Sequence, residues 1–185
     1  MSQPSKYLSP EEYLTRERAA EFKSEYYAGE MFAMSGGSRA HSLIGGNVIT
    51  ALNNQFKDRD CEVHGSDMRV KVSETGLYTY PDASAYCGEG EFEDEHVDRV
   101  RTAQLIVEVL SPTTEDYECI ARFAPYRTIA SLQEYVLIAQ DRVCIERYRR
   151  YDGTEFLSRV YSELADVIEL ESVGAKLAGR DVYAR

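Results

Sequence analysis

Apolar side chains recur along the chain with two spacings, one typical of helices and the other typical of strands. A three-to-four-residue spacing predicts a helix over residues 38–57, and helices are also expected over residues 10–22 and 114–130. The first helix begins at a capping box, with Ser9 as the N-cap and Pro10 at the first helical position. Between the helices the apolar residues alternate or form short continuous runs, which predicts strands.

The predicted strands form hairpins and buried single strands. Asp152-Gly153 is a strong turn signal at the tip of one hairpin. Hairpins are predicted over residues 25–34, 62–86 and 142–161, and single strands over residues 104–110, 134–140 and 166–170. Because helices and strands are interleaved throughout, we expect an α/β fold with a central mixed sheet, flanking helices and added hairpins.

The predicted helix over residues 38–57 contains a glycine pair, Gly45-Gly46. Each glycine destabilises a helix by roughly 1 kcal/mol relative to alanine. Close packing is a physical reason for tolerating this cost, so we expect both glycines to lie against the sheet.

Length and charge limit the classes of protein to which the chain can belong. Its 185 residues suit one domain spanning residues 1–185, and no linker or repeat divides them. A net charge of -11 excludes a protein that coats nucleic acid through bulk positive charge. No apolar run reaches the roughly 20 residues of a membrane helix, and the N-terminus has no signal-peptide core. We therefore expect a cytoplasmic protein without membrane contact.

The cysteines are spread along the chain and form no CxxC pair. This spacing indicates neither a zinc site nor a disulfide framework. We therefore expect free thiols, in keeping with a cytoplasmic location. The residues are Cys61, Cys87, Cys119 and Cys144.

A carboxylate interrupts one of the most apolar runs of the chain. Glu108 lies within the segment QLIVEVL, and on a strand its side chain shares a face with those of Ile106 and Leu110. A charge buried there is costly unless it is paired or binds a metal ion. The ordinary interpretation is a strand-end carboxylate paired with an arginine, and the alternative is a metal ligand.

A second carboxylate follows a proline in a strand-like segment. Proline in a strand marks an edge, a strand start or a bulge, and a bulge at Tyr80-Pro81-Asp82 would direct Asp82 into a cleft. By itself a Pro-Asp pair is usually only a turn. Together with Glu108 on a later strand, Asp82 would supply the oxygen ligands that Mg²⁺ prefers.

These segments resemble a known family. Tyr80-Pro81-Asp82, followed by LIVEVLSPT at residues 105–113, is similar to the PD-(D/E)xK nuclease superfamily, and more closely to the Uma-two family of "putative restriction endonucleases". The similarity extends over nearly the whole chain and includes residues 7–9, 29–30, 39–41 and 65–70. It implies a restriction-endonuclease-like fold, Mg²⁺ or Mn²⁺ as cofactor, and hydrolysis of phosphodiester bonds in nucleic acid, with DNA as the expected substrate.

The resemblance also implies roles for individual residues. Asp82 and Glu108 match the metal-binding acids, and the Val109 carbonyl would be a backbone ligand. Glu30 matches an early glutamate that often completes the acidic cluster. His41 matches a histidine on a helix beside the cleft, although a surface or core histidine is an equally good interpretation.

The sequence departs from the superfamily motif where that motif has its lysine. Leu110 stands two residues after Glu108, and the lysine that the family takes from the following helix is replaced by Arg122. Arginine can stabilise charge on a phosphate but cannot act as a base. The expected catalytic residues are therefore Asp82, Glu108 and Arg122.

The sequence is also compatible with two other functions. A catalytically decayed member of the family would act as a binding or protein-interaction module, which Arg122 and the acidic net charge favour. Alternatively, Asp82 and Glu108 form a structural pair that binds no metal. The preferred hypothesis is a homodimeric endonuclease, since cutting both strands of a duplex is easiest with two sites and two-fold pairs are the commonest assembly.

Overall fold

The structure is a computed structural model that describes residues 7–72, 75–92, 99–100, 102–111 and 123–185. Helices and strands alternate along the chain, as the sequence predicts. No helix within these ranges is long and apolar enough to cross a membrane.

The helices begin at the caps that their sequences encode. Helix α1, Pro10–Ala19, has the predicted capping box, because the Ser9 side chain accepts from the Glu12 backbone N–H at 3.2 Å while the Glu12 side chain accepts from the Ser9 N–H at 3.1 Å. Helix α2, Arg39–Phe56, coincides closely with the predicted 38–57 segment. A short C-terminal helix spans Gly179–Val182.

The strands form a six-stranded central sheet, a five-stranded sheet and a two-stranded ribbon. In chain order they are β1 Ser24–Tyr27, β2 Glu30–Ala33, β3 Cys61–Gly65, β4 Arg69–Val72, β5 Leu77–Thr79, β6 Ala83–Cys87, β7 Arg99–Val100, β8 Leu105–Leu110, β9 Glu134–Ala139, β10 Ile145–Asp152, β11 Glu155–Tyr161, β12 Val167–Leu170 and β13 Ala175–Ala178.

The central sheet is mixed, with the strand order β11-β10-β9-β8-β6-β3. Strands β8 and β9 are parallel and the other neighbours are antiparallel. Every residue of β8 and β9 is buried, as their continuous apolar runs predict. The predicted mixed sheet with flanking helices is therefore confirmed.

Apolar cores cover both faces of the central sheet. On one face, Leu52 of α2 shares a core with Val107 of β8. On the other, Ile106 and Leu110 belong to a second core. Burying a side chain of this size stabilises the fold by about 1.5–3 kcal/mol, so both layers contribute. Because successive residues of a strand face opposite sides, Glu108 lies on the side of Ile106 and Leu110.

The predicted hairpin over residues 62–86 is divided between two sheets. Strand β3 pairs with β6 in the central sheet, whereas β4 pairs with β5 in the five-stranded sheet. The chain therefore crosses between the sheets twice, at residues 66–68 and at residues 80–82. Pro81 has no backbone N–H, so the ladder breaks at the second crossing instead of continuing through a bulge.

The other predicted elements have mixed outcomes. The hairpins over residues 25–34 and 142–161 are confirmed as β1–β2 and β10–β11. The predicted strand 166–170 is β12, but its partner β13 was missed. Of the helix predicted over residues 114–130, residues 123–126 are helical, and residues 112–122 lie outside the described part of the chain.

The prediction of free thiols is wrong for two cysteines. Cys61 and Cys87 form a disulfide. They are direct cross-strand partners in β3 and β6, with Cα atoms 4.0 Å apart. Sheet pairing brings together residues that are 26 apart in the sequence, which spacing alone does not indicate. Cys144 is a free thiol, and Cys119 lies outside the described residues.

Candidate active site

A cleft with a volume of about 940 Å³ opens at the carboxyl end of β8. The β1–β2 hairpin, the first half of α2 and the crossing before β6 form its other walls. Its charged and titratable lining residues are Lys23, Glu25, His41, Tyr80, Asp82 and Glu108. The two acids expected to bind metal therefore face the same cavity.

Asp82 is fixed beside the end of β8 by a backbone hydrogen bond. It lies in the break between β5 and β6, where Pro81 ends the ladder. Its Oδ2 accepts a hydrogen bond from the Val109 N–H at 2.7 Å, and 16% of the side chain is exposed. Because Val109 follows Glu108, this bond holds the Asp82 carboxylate next to the strand that carries Glu108.

Glu108 is 4% exposed and accepts a buried hydrogen bond. The Tyr126 hydroxyl donates to Glu108 Oε1 at 2.8 Å and lies 3.3 Å from Thr79 Oγ1. Thr79 in turn donates to Glu25 Oε1 at 2.5 Å. Burial, followed by the charge of Glu108, holds the pKa of Tyr126 well above its usual value, so Tyr126 remains a donor. Each hydroxyl donates its single proton to a carboxylate, so the Tyr126–Glu108 and Thr79–Glu25 hydrogen bonds lie side by side in the wall of the cleft.

His41 adds a titratable group on the α2 side. Its Nε2 lies 3.2 Å from Asp82 Oδ2. The hydrogen bond to Asp82 is the largest cause that raises the pKa of His41, and burial opposes this rise. The charges of Asp82 and Glu108, and a backbone hydrogen bond to Val109, raise the pKa further. His41 therefore keeps its proton, and a positive charge, at a higher pH than an exposed histidine.

The backbone N–H and carbonyl of Val109 face the Asp82 carboxylate. The Leu110 carbonyl accepts from the Gln140 N–H at 3.2 Å, on the β9 side. Successive residues of a strand direct their backbone groups to opposite sides, so the N–H and the carbonyl of Val109 point toward the β6 side. The N–H is bound by Asp82. The carbonyl consequently points into the space beside the Asp82 carboxylate.

Glu30 does not line the cleft. It is exposed and pairs with Tyr27 at the turn of the β1–β2 hairpin. The cleft lies at the opposite end of this hairpin, where Ala33 pairs with Ser24. Three residues of extended strand place Glu30 about 10 Å further along. The prediction that Glu30 joins the acidic cluster is therefore wrong. Glu25 lines the cleft instead, and no sequence signal separates two glutamates of the same hairpin.

Fixed positive charge is scarce in the described lining of the cleft. Lys23 is bound by Asp67 Oδ1 at 2.6 Å and by the Ser66 carbonyl at 2.8 Å. Arg122, the expected phosphate-binding residue, lies outside the described residues. Within the described lining, carboxylates outnumber fixed cations, so a bound phosphate would need charge from a metal ion or from protonated His41.

The glycine pair of α2 lies on the cleft wall. A Cβ atom placed on Gly45 or Gly46 would meet nothing within 4 Å, and both residues line the cleft. The prediction that they pack closely against the sheet is therefore wrong. The glycines destabilise the helix and leave its wall of the cleft open.

The donors in the cleft fit the expected ion. Within the described ranges, no group of three His, Cys, Asp or Glu side chains is arranged to hold a metal. Mg²⁺, however, is usually bound by one or two carboxylates and keeps several waters. Asp82, Glu108 and the Val109 carbonyl suit that mode, and the imidazole Nε2 of His41 already lies 3.2 Å from Asp82 Oδ2.

The protein therefore has an α/β fold with a mixed central sheet and two acidic residues in a cleft at the end of a middle strand. The crystal structure of "a putative nuclease belonging to DUF820" from Anabaena variabilis has a similar fold, with a TM-score of 0.71 and 18% sequence identity. The similarity covers 89% of this chain and 92% of that chain.

The chain belongs to the Uma2 family, described as "Putative restriction endonuclease", whose model matches residues 10–180. Two proteins of Synechocystis sp. are similar to it. Uncharacterized protein slr1290 is 36% identical over 182 residues, which cover 98% of this chain and 94% of that protein. Uncharacterized protein sll1609 is 36% identical over 153 residues, covering 83% and 86%. The family inferred from the sequence is confirmed.

Proposed function

We propose that the protein is a Mg²⁺-dependent endonuclease that hydrolyses phosphodiester bonds of nucleic acid, with DNA as its substrate. The observation that carries this proposal is the meeting of Asp82 and Glu108 in one cleft, with the backbone of Val109 between them. Two carboxylates and a carbonyl are hard oxygen donors of the kind that Mg²⁺ and Mn²⁺ accept.

Asp82, Glu108 and the Val109 carbonyl would hold the ion. When bound, Mg²⁺ or Mn²⁺ supplies Lewis-acid charge at the scissile phosphate and makes water a better nucleophile. His41 is placed to hold a phosphate oxygen, or to give its Nε2 proton to the leaving oxygen, because its imidazole lines the cleft beside the Asp82 carboxylate. We assign Arg122 to the scissile phosphate, which a guanidinium holds through two parallel hydrogen bonds.

The shape of the cleft supports a polymeric substrate. The Gly45-Gly46 face of α2 leaves an open wall, and Gly36-Gly37 in the preceding loop also line the cleft. The net charge of -11 repels nucleic acid, so binding depends on the bound metal and on local cations. We further propose a homodimer, in which two sites cut the two strands of a duplex. We also propose a cytoplasmic location, although the Cys61–Cys87 disulfide is a bond that a reducing cytoplasm disfavours.

One observation favours a second candidate, a catalytically decayed module that binds nucleic acid or protein. Leu110, at the motif's lysine position, is 7% exposed and belongs to an apolar core. No amine reaches the cleft from this position of β8. An active enzyme would therefore depend on Arg122 for the missing charge.

Cleavage of plasmid DNA, single-stranded DNA and RNA, in Mg²⁺, Mn²⁺ or EDTA, tests the proposal. Asp82→Asn and Glu108→Gln keep the side-chain shape and remove a charge, so each is expected to lower metal-dependent cleavage by at least about 100-fold. Asp58→Asn is the matched control, because Asp58 is exposed outside the cleft.

Calorimetric titration with Mg²⁺ separates the rival functions. We expect wild type to bind Mg²⁺ and Asp82→Asn to lose binding. Arg122→Lys should cleave as well as wild type or better, and Arg122→Ala should lose cleavage. Binding without cleavage, in wild type and in Arg122→Lys, would support the decayed module. No binding by wild type would leave Asp82 and Glu108 as a structural pair.

A further inference from the structure

The central sheet ends in a strand whose outer edge is unpaired in the described part of the chain. Strand β11 is last in the strand order and pairs there only with β10. On it, Leu157 is 61% exposed and Val160 is 58% exposed. An unpaired edge with exposed apolar side chains is a template for pairing with another chain.

The hydrogen-bond pattern identifies the backbone groups that face outward. The Arg150 N–H donates to the Gln133 carbonyl, so the even-numbered residues of β10 bond toward β9 and the odd-numbered ones toward β11. Odd-numbered residues of β10 pair with odd-numbered residues of β11. The odd-numbered residues of β11 therefore direct their N–H and carbonyl groups inward, to β10. The even-numbered residues, which are Phe156, Ser158 and Val160, direct theirs outward.

The charges on β11 are poorly matched within the chain. Glu155, Leu157 and Arg159 share one face of the strand. Across the β10–β11 pair, Glu155 lies opposite Asp152, and Arg159 lies opposite Arg147. Like charges directly opposite each other destabilise a sheet. Arg147 is already paired with Glu134, at 3.5 Å. A strand added on the outer side would match Glu155 and Arg159 if it brought the opposite charges.

We propose that a second copy of this chain supplies that strand. The two β11 strands pair antiparallel, with Leu157 at the two-fold axis and opposite the partner's Leu157. In this register Glu155 lies opposite the partner's Arg159, and Arg159 lies opposite the partner's Glu155. The outward backbone groups of Phe156 bond with those of the partner's Ser158, and the reverse pair forms by symmetry. The two central sheets become one continuous sheet.

Charge selects this register over its neighbours. An axis at Ser158 would set Arg159 opposite the partner's Leu157, with no ion pair. An axis at Arg159 would set two arginines against each other. With the axis at Leu157, two ion pairs and one leucine pair form across the interface. All three pairs occupy non-hydrogen-bonded positions, where the side chains of facing residues are closest.

This inference rests on the homodimer included in the proposed function and specifies its surface. It does not depend on the metal or on cleavage. A separate measurement of assembly can therefore fail or succeed independently of the nuclease assay.

Sedimentation equilibrium over a concentration series tests the surface by charge reversal. Glu155→Arg and Arg159→Glu each replace two ion pairs by two like-charge pairs, so each should raise the dimer dissociation constant by at least about tenfold. The double variant restores both pairs with their signs exchanged and should return within about threefold of wild type. Asp58→Arg makes the same charge change as Glu155→Arg, but on an exposed turn outside β11, so it should leave the dimer dissociation constant unchanged.

A cysteine at the axis gives an independent readout. Leu157→Cys should form a disulfide-linked dimer on mild oxidation, whereas Thr154→Cys, which would face the partner's Val160, should not. A dimer unaffected by the reversals, or a double variant no better than the singles, would overturn the surface alone. A chain that is monomeric at every concentration would overturn both the surface and the homodimer of the proposed function.

Discussion

Removing one hydroxyl group, by Tyr126→Phe, tests whether a buried hydrogen bond holds Glu108 in place. The Tyr126 O–H donates to Glu108 Oε1 over 2.8 Å, and both residues are buried. A hydrogen bond to a charged group contributes about 1.5–3 kcal/mol. We therefore expect Tyr126→Phe to lower the free energy of unfolding by about 1.5–3 kcal/mol. For a chain of this size the melting temperature should fall by roughly 3–12 °C.

Urea unfolding of matched variants measures this contribution. Tyr151→Phe is the control, because Tyr151 is 71% exposed and its change should stay within about 0.5 kcal/mol. Combining Tyr126→Phe with Glu108→Gln should give a coupling energy of about 0.5–3 kcal/mol. If Tyr126→Phe behaves like the control, or if the two changes are additive, the hydrogen bond does not hold Glu108 and the reasoning is refuted.

The same variant separates a positioning role from a purely structural one. If Glu108 holds Mg²⁺, a residue that orients it should raise metal affinity, and its loss should weaken Mg²⁺ binding by about 10–100-fold. Calorimetry on folded Tyr126→Phe measures this. An unchanged Mg²⁺ affinity alongside lower stability would restrict Tyr126 to a structural role.

Three further changes test other parts of the structure. Gly46→Leu fills the open wall, so cleavage of duplex DNA should be lost while hydrolysis of a small phosphodiester persists. Because leucine favours a helix more than glycine does, the free energy of unfolding in urea should rise by up to about 1 kcal/mol. Reduction of the Cys61–Cys87 disulfide should lower stability to urea by up to about 3.5 kcal/mol, an effect absent when both cysteines are serine. Glu25→Gln should slow Mg²⁺-dependent cleavage by about tenfold, whereas Glu30→Gln should leave the rate unchanged.

The sequence predicts best those features that local chemistry determines. The apolar run around Glu108 predicts a strand buried on both faces, and Pro81 predicts an interrupted strand at Asp82, although the interruption is a break and not the expected bulge. Long-range pairing decides the features that were missed. The disulfide requires Cys61 and Cys87 to be sheet partners, which their positions in the sequence do not reveal.

Site geometry depends on distance along a strand as well as on strand assignment. Glu25 and Glu30 lie in the same correctly predicted hairpin, yet only Glu25 lies at the end that lines the cleft. The glycine pair of α2 was misassigned for a related reason. Helical spacing identifies the helix, but which of its faces meets the sheet and which meets a cavity is decided by packing.

Pro81 gives the proposed cation site at the end of β8 its backbone ligand. Continuing the β6–β8 ladder by one hydrogen-bonded pair would place Pro81 opposite Val109. Proline has no N–H, so the Val109 carbonyl can receive no ladder hydrogen bond from it. The Val109 N–H is taken by the Asp82 side chain, which leaves the carbonyl facing the cleft beside a carboxylate. His41 meets both this carbonyl and the Asp82 carboxylate, so the position attracts a cationic donor, and a metal ion is the alternative occupant that we propose. The single residue that interrupts the strand thus also creates the backbone ligand for the proposed ion.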